Sequence, residues 1–198
     1  MEDLEIEGQA WSLSGTTGTM AAALAANSVV FAMQATADSA SPNVSRRAPL
    51  EIEGIRLTYT AIVAATTPLT AGRALKLYRG TPDAAGKTML TGGAAVTAIE
   101  KSTGDAGNDS GLAGALISTT AGLTAGAFTR GTVPIATFDL LGGGAAGARL
   151  VYEYYEQVNG SELWLMPGEI LVVSNPQAMD AALTWQLSVD IDYRRRER

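Results

Sequence analysis

Leu183-Thr184-Trp185-Gln186-Leu187-Ser188-Val189-Asp190-Ile191-Asp192-Tyr193, close to the end of the 198-residue sequence, decides the fold. Every odd position is large and apolar, and every even position is polar or charged. Side chains in a β-strand alternate between two faces, so one face carries Leu, Trp, Leu, Val, Ile and Tyr into a core. Thr, Gln, Ser, Asp and Asp on the other face meet water. A helix would distribute the same residues around its circumference, so the helical reading fails. A long, half-buried strand of this kind implies an antiparallel sheet packed on one face.

Moving toward the N-terminus, similar segments recur between turn signals. Segments 170–174 and 162–166 are separated by Pro167-Gly168, and Asn175-Pro176 precedes the long strand. Asn159-Gly160 is a hairpin signal after an expected strand at 148–157, and Gly142-Gly143-Gly144 ends another at 132–141. In segment 50–64 the apolar phase is even at Leu50 and Ile52 but odd at Ile55, Leu57, Tyr59 and Val63. The phase flips at Gly54, as an inserted bulge residue would make it do. Segments 28–36, 73–78 and 94–100 complete a set of eight to ten strands, with loops expected at 38–49, 66–72 and 80–93. No helix longer than two turns is expected. The pattern predicts an all-β protein, an antiparallel β-sandwich of jelly-roll type. Its domain is expected at 28–198, preceded by an N-terminal arm at 1–27. Residues 101–131 contain seven glycines and read as a long Gly/Ala-rich loop, or as a weak hairpin through Leu112 to Ile117.

Composition excludes several chemistries. The sequence has no cysteine and no histidine, which removes disulfides, thiolate metal sites, cysteine nucleophiles and imidazole catalysis. A net charge of −6 argues against a general nucleic-acid binder. No apolar run approaches the ~18 residues that span a bilayer, and the acidic start at Glu2, Asp3, Glu5 and Glu7 is wrong for a signal peptide. A soluble protein made in a cytoplasm is expected. Charged residues make up only 17 %, as in a surface packed against other proteins, and Ala- and Gly-rich loops encoded by a GC-rich genome explain the figure equally well.

Candidate chemical motifs are sparse. The run from Gly80 to Gly86-Lys87-Thr88 follows a strand, but five residues separate its glycines where a phosphate loop has four. Asp105, Asn108 and Asp109 offer oxygen ligands for calcium without the spacing of an EF-hand. Asp190 and Asp192, with Glu153 on a neighbouring strand, form a carboxylate group that glycoside hydrolysis would use. A solvated sheet face explains them equally well. No catalytic residue, metal site or cofactor is therefore assigned. Trp185, Tyr59 and Tyr193 belong to apolar strand phases and read as core. Tyr155 and Trp164 fall on outer phases and, with Trp11, are the aromatic candidates for an interface. Arg194, Arg195 and Arg196, in the basic terminal cluster, are candidates for a hook onto an acidic partner surface.

The stretch Gly18-Thr-Met-Ala-Ala-Ala-Leu-Ala-Ala-Asn-Ser-Val-Val-Phe-Ala-Met33, with Ile55-Arg-Leu-Thr-Tyr59 and Leu75-Lys-Leu-Tyr-Arg-Gly80, resembles virion structural proteins of tailed bacteriophages. So does the ending, from Leu165-Met166-Pro167-Gly168-Glu169-Ile170 through Asn175-Pro176 to Tyr193. The similarity lies in the texture of most of the chain beyond the arm, while 101–131 has no counterpart. It implies a non-enzymatic head decoration or cement protein, a homotrimer on the capsid surface whose partner is the major capsid protein. A tail or fibre β-sandwich module, binding a host glycan or another tail protein, is the alternative.

Overall fold

The computed structural model describes residues 9–36, 49–67, 69, 73–82, 90–102, 104, 110–124, 128–155 and 162–195. Thirteen strands occur among them, in two antiparallel sheets packed face to face. Sheet A runs β10–β3–β13–β1–β6, with β11 also on β3. Its strands are β1 (Ala10–Thr16), β3 (Leu50–Val63), β6 (Ala98–Glu100), β10 (Arg149–Tyr155), β11 (Leu163–Leu165) and β13 (Thr184–Arg195). Sheet B runs β5–β7–β2–β12–β4–β8, with β9 also on β4. It contains β2 (Ser28–Ala35), β4 (Ala74–Pro82), β5 (Ala94–Ala95), β7 (Leu112–Ile117), β8 (Phe128–Arg130), β9 (Ala136–Asp139) and β12 (Ile170–Asn175).

The pairing is nested. β1 pairs with β13, β2 with β12, β3 with β10 and β11, and β4 with β8 and β9. Successive pairs alternate between the sheets, so the chain is one long double-stranded ribbon wound around a common core. This is the jelly-roll connection expected from the strand pattern. Strands β5, β6 and β7 come from the ribbon's tip and add to the edges of the two sheets. There β6 adds to β1, while β7 adds to β2 and carries β5 beyond it. The expected loop at 101–131 thus contains the whole of β7 and β8.

The alternation in β13 appears directly in its burial: Trp185, Leu187, Val189, Ile191 and Tyr193 are buried and the residues between them half-exposed. Each such side chain contributes about 1.5–3 kcal/mol when fully removed from water. Trp185 packs on Tyr59 with ring centroids 5.7 Å apart. The Tyr59 hydroxyl donates to the Gly143 carbonyl at 3.1 Å, and burial pushes its phenol up to about 12. The phase flip at Gly54 is a bulge: Asp192 lies opposite Gly54 while Tyr193 lies opposite Ile52, leaving Glu53 as the extra residue.

Strand β12 shows the contrasting pattern, since Ile-Leu-Val-Val-Ser-Asn is buried throughout. Leu171 and Val173 enter the main core, whereas Ile170 and Val172 face outward and pack with Val29, Ala32, Tyr78, Leu90 and Leu123. Leu90 and Leu123 come from connecting segments, joined where Thr91 bridges Thr124, that form a second layer over sheet B. A continuous apolar strand is therefore one covered on both faces. Arg130 also lies across this face, 4.4 Å from the Tyr78 ring centre, and donates to Ser174 Oγ and Asn27 Oδ1 at 3.0 and 3.1 Å.

The arm expected at 1–27 is, from Ala10 onward, part of the sandwich. β1 sits between β13 and β6, and Met20, fully buried, bridges to Trp185. The alternation Trp11-Ser12-Leu13-Ser14 carries two core residues, a signal too short to stand out beside the adjoining Gly- and Ala-rich stretch. Gly18 is required where this segment crosses 118–120, because a Cβ there would overlap the Thr119 carbonyl oxygen. Nearby, Asp180 ties three connections together. Its carboxylate accepts from the N–H groups of Ala182 and Thr66 at 3.0 and 2.9 Å, and from the Thr66 and Thr67 hydroxyls at 2.9 and 3.1 Å. Its carbonyl accepts from the N–H of Ala23 at 3.0 Å. The Ala182 and Thr66 N–H bonds, with the two hydroxyls, hold this carboxyl well below the usual carboxylate range.

Asp180→Asn therefore lowers the thermal midpoint at neutral pH. A depressed carboxyl contributes stability above its unfolded-state value of 3.8 and loses it as pH falls through the folded-state value. The gap between wild type and variant, measured by thermal melts from pH 7 downward, closes only in strong acid. Gly18→Ala costs about 1–3 kcal/mol, read as a lower urea midpoint at unchanged m-value.

Candidate interaction surface

The solvent face of sheet A is built from the even phase of β13 and its register neighbours. One row across it reads Ser14, Asp190, Arg56, Glu153, and the next Ser12, Asp192, Gly54, Tyr155. The first row places opposite or hydrogen-bonding groups side by side, which stabilises a sheet by fractions of a kcal/mol per pair. The Ser14 hydroxyl donates to Asp190, Arg56 pairs with Glu153 at 3.4 Å, and Lys101 pairs with Asp192 at 3.0 Å. All three carboxylates considered for hydrolytic chemistry thus have side-chain partners on this face. Among the described residues, no group of three or more acidic side chains is placed to hold a metal ion. Asp105, Asn108 and Asp109 lie outside the described residues, as does most of the glycine run after Thr81.

Three of the six interface candidates gather at one end of this face. Tyr155, 42 % exposed, lies over Gly54, where a Cβ would come 3.2 Å from its ring. The ring covers backbone that a side chain would otherwise shield, so the bulge glycine and the exposed tyrosine form one device. Trp164 lies opposite Glu51, which in turn lies opposite Arg194. Its indole N–H donates to Glu162 at 2.8 Å, while Leu163 and Leu165 on either side are buried. Arg194 pairs with Glu53, the bulge residue, at 2.8 Å. Two aromatic rings, an arginine and the carboxylates of Glu53 and Glu162 thus share one end of a rigid sheet. Glu53 carries no mark in the sequence, because only the bulge brings it to this cluster, whereas Glu162 arrives with Trp164, two residues along the chain.

Two other candidates are placed elsewhere, and Arg196 lies outside the described residues. Trp11 is a core residue, 2 % exposed, and not an interface residue. It sits opposite Tyr193, and in a sheet directly opposed residues share a face, so it points inward with that tyrosine. Arg195 is likewise buried at 3 % exposure, not displayed on a free tail. It continues the inward phase of β13 past Tyr193, and its aliphatic stem lies beside Gly111 together with Leu50. Burial raises the Tyr193 phenol above its ordinary range, opposed by Ser110 and by the Arg195 charge. The terminal strand therefore presents Arg194 outward and closes the end of the core with Arg195.

Stability measurements separate these roles. Trp11→Ala costs about 3–5 kcal/mol in chemical denaturation, the penalty for truncating a buried indole. Tyr155→Ala costs about 1 kcal/mol or less, because that ring covers only the outside of the sheet.

No protein-family model matches this chain, and no curated protein sequence matches it.

Proposed function

We propose that this protein is a structural component of a tailed-bacteriophage particle that binds the major capsid protein from outside and reinforces the shell. The observation that carries the reading is the Tyr155, Trp164, Arg194 and Glu53 cluster on the solvent face of a rigid sheet. Aromatic rings and arginine are the side chains that most often anchor protein interfaces, and a rigid sheet presents them with little ordering cost. Further support comes from the texture that 18–33, 55–59, 75–80 and 165–193 share with virion proteins. The carboxylates at Glu153, Asp190 and Asp192 act in this reading as partners within the sheet, and the function is contact without catalysis. The protein is made in the host cytoplasm and resides on the capsid surface. Among the described residues no helix is long and apolar enough to cross a membrane.

A second reading, a tail or fibre module that binds host polysaccharide, is favoured by the hydroxyls that the same face carries along with Tyr155. Ser12, Ser14, Thr16, Thr58, Thr60 and Ser188 all lie on strands of this face. Quantitative analysis of purified virions decides between the two. The capsid reading expects a high copy number, and heads assembled without the protein should lose resistance to heat and low salt. A Tyr155→Ala, Trp164→Ala double variant should fold yet fail to bind such heads. Detection at the tail tip alone, with unchanged head stability, would overturn it. The tail reading expects polysaccharide binding that Trp164→Ala abolishes without unfolding.

A further inference from the structure

Among the described residues the two sheets have four edges, and three are short or interrupted. β6 has three residues and β5 two. The far edge of sheet B is divided between β8 and β9 by 131–135, which contains Pro134 and projects Val133 at 77 % exposure. Such features prevent an edge from pairing with another chain. β10 has none of them. It shares this edge of sheet A with the three-residue β11, which lies on β3 beyond Tyr155, but is itself an unbroken run of seven residues without Pro, Gly or Lys, with Val151 at 46 % exposure.

The direction of its free backbone groups is fixed by the ladder. Ala61 N–H donates to the Ala148 carbonyl at 2.9 Å, so Ala61, and by alternation Tyr59 and Leu57, direct their main-chain groups toward β10. Tyr59 lies opposite Leu150 and Leu57 opposite Tyr152. The main-chain groups of Leu150 and Tyr152 are thereby used within the sheet. Those of Arg149, Val151 and Glu153 point away from it.

We propose that β10 pairs antiparallel with β10 of a second copy of this chain, the two-fold axis passing through Val151. In that register Arg149 of each copy faces Glu153 of the other, and Val151 faces its own equivalent. About six main-chain hydrogen bonds join the copies. Leu150 of each copy meets Tyr152 of the other on the inner side, where both are only partly covered by the core. Self-pairing is favoured because the basic and acidic residues lie at equal distances on either side of an apolar centre. Moving the axis to Tyr152 would place Val151 opposite Glu153 and leave both arginines without an acid. Glu153 keeps Arg56 at 3.4 Å, since a carboxylate has acceptor sites for both cations. The inference is independent of where in a particle the protein resides, and it departs from the trimer implied by the resemblance.

Sedimentation equilibrium over a concentration series tests it. The wild type should assemble as two chains or a multiple of two. Val151→Pro removes an outward N–H that β3 does not use, so it should leave the circular dichroism and thermal midpoint nearly unchanged while abolishing the two-fold contact. Arg149→Glu and Glu153→Arg should each weaken association by about 10-fold or more, because each places like charges opposite one another. An equimolar mixture of these two variants should recover it, every opposed pair again being of opposite charge. A monomeric wild type, a trimer, or an assembly that Val151→Pro leaves intact overturns the proposal. Should the proline variant not fold, failure of the mixture to recover association overturns it equally.

Discussion

Strand β13 lies between β1 and β3, and its strict alternation permits one register there. A slip of one residue would turn Leu187, Val189 and Ile191 to solvent and bury Asp190 and Asp192 in the core. Burying an unpaired carboxylate costs far more than any surface contact returns, so the alternative register is not accessible. With β13 fixed, Trp11 and Leu13 must face inward on one side, and Ile55, Leu57 and Tyr59 on the other. The bulge at Glu53 absorbs the phase change in β3 and keeps Leu50 and Ile52 inside as well. The paired charges on the outer face are a consequence of this register and do not create it. An exposed ion pair contributes about 0–1 kcal/mol, less than a single buried leucine or isoleucine.

The second sheet is held differently. Its central strands β2 and β12 are buried on both faces, by the sandwich core and by the layer that carries Leu90 and Leu123. The segment that supplies part of this layer also supplies β7, so a stretch that looks structureless is a cover for the sheet. Small residues suit that task. Gly93 and Gly122 lie where a Cβ would press against Ile117 and Ser28, and larger residues there would hold the layer off the sheet.

How legible each part is in the sequence depends on the length of its periodic signal. The long alternation in β13 and the phase flip at Gly54 are enough to specify a half-buried strand and a bulge. β1 carries only Trp11 and Leu13 on its inward phase, and the Gly- and Ala-rich residues after it make the whole segment read as an arm. The surface cluster is half legible. Tyr155 and Trp164 are marked by their outer phase, and Arg194 by its charge. Trp11 and Arg195 lie inside, against expectation: the alternation around Trp11 is short and adjoins a Gly- and Ala-rich stretch, and Arg195 extends the inward phase of β13 with a charge that reads as surface. Glu53 and Asp180 carry no signature at all: one is brought into place by a bulge, the other by loops more than a hundred residues apart in sequence.

The sequence specifies an all-β sandwich, a strand β13 with one face to water, and a chain without imidazole or thiol side chains. Those properties are local, because a period of two and an absent residue type need no partner to be read. The nested ribbon, the covering layer over sheet B, the inward course of Trp11 and Arg195 and, among the described residues, the place of β10 at an edge of sheet A came from the tertiary structure. Each of these depends on which strands lie side by side. Strand pairing is a long-range choice, made where the apolar faces of segments far apart in sequence can be buried together at one register.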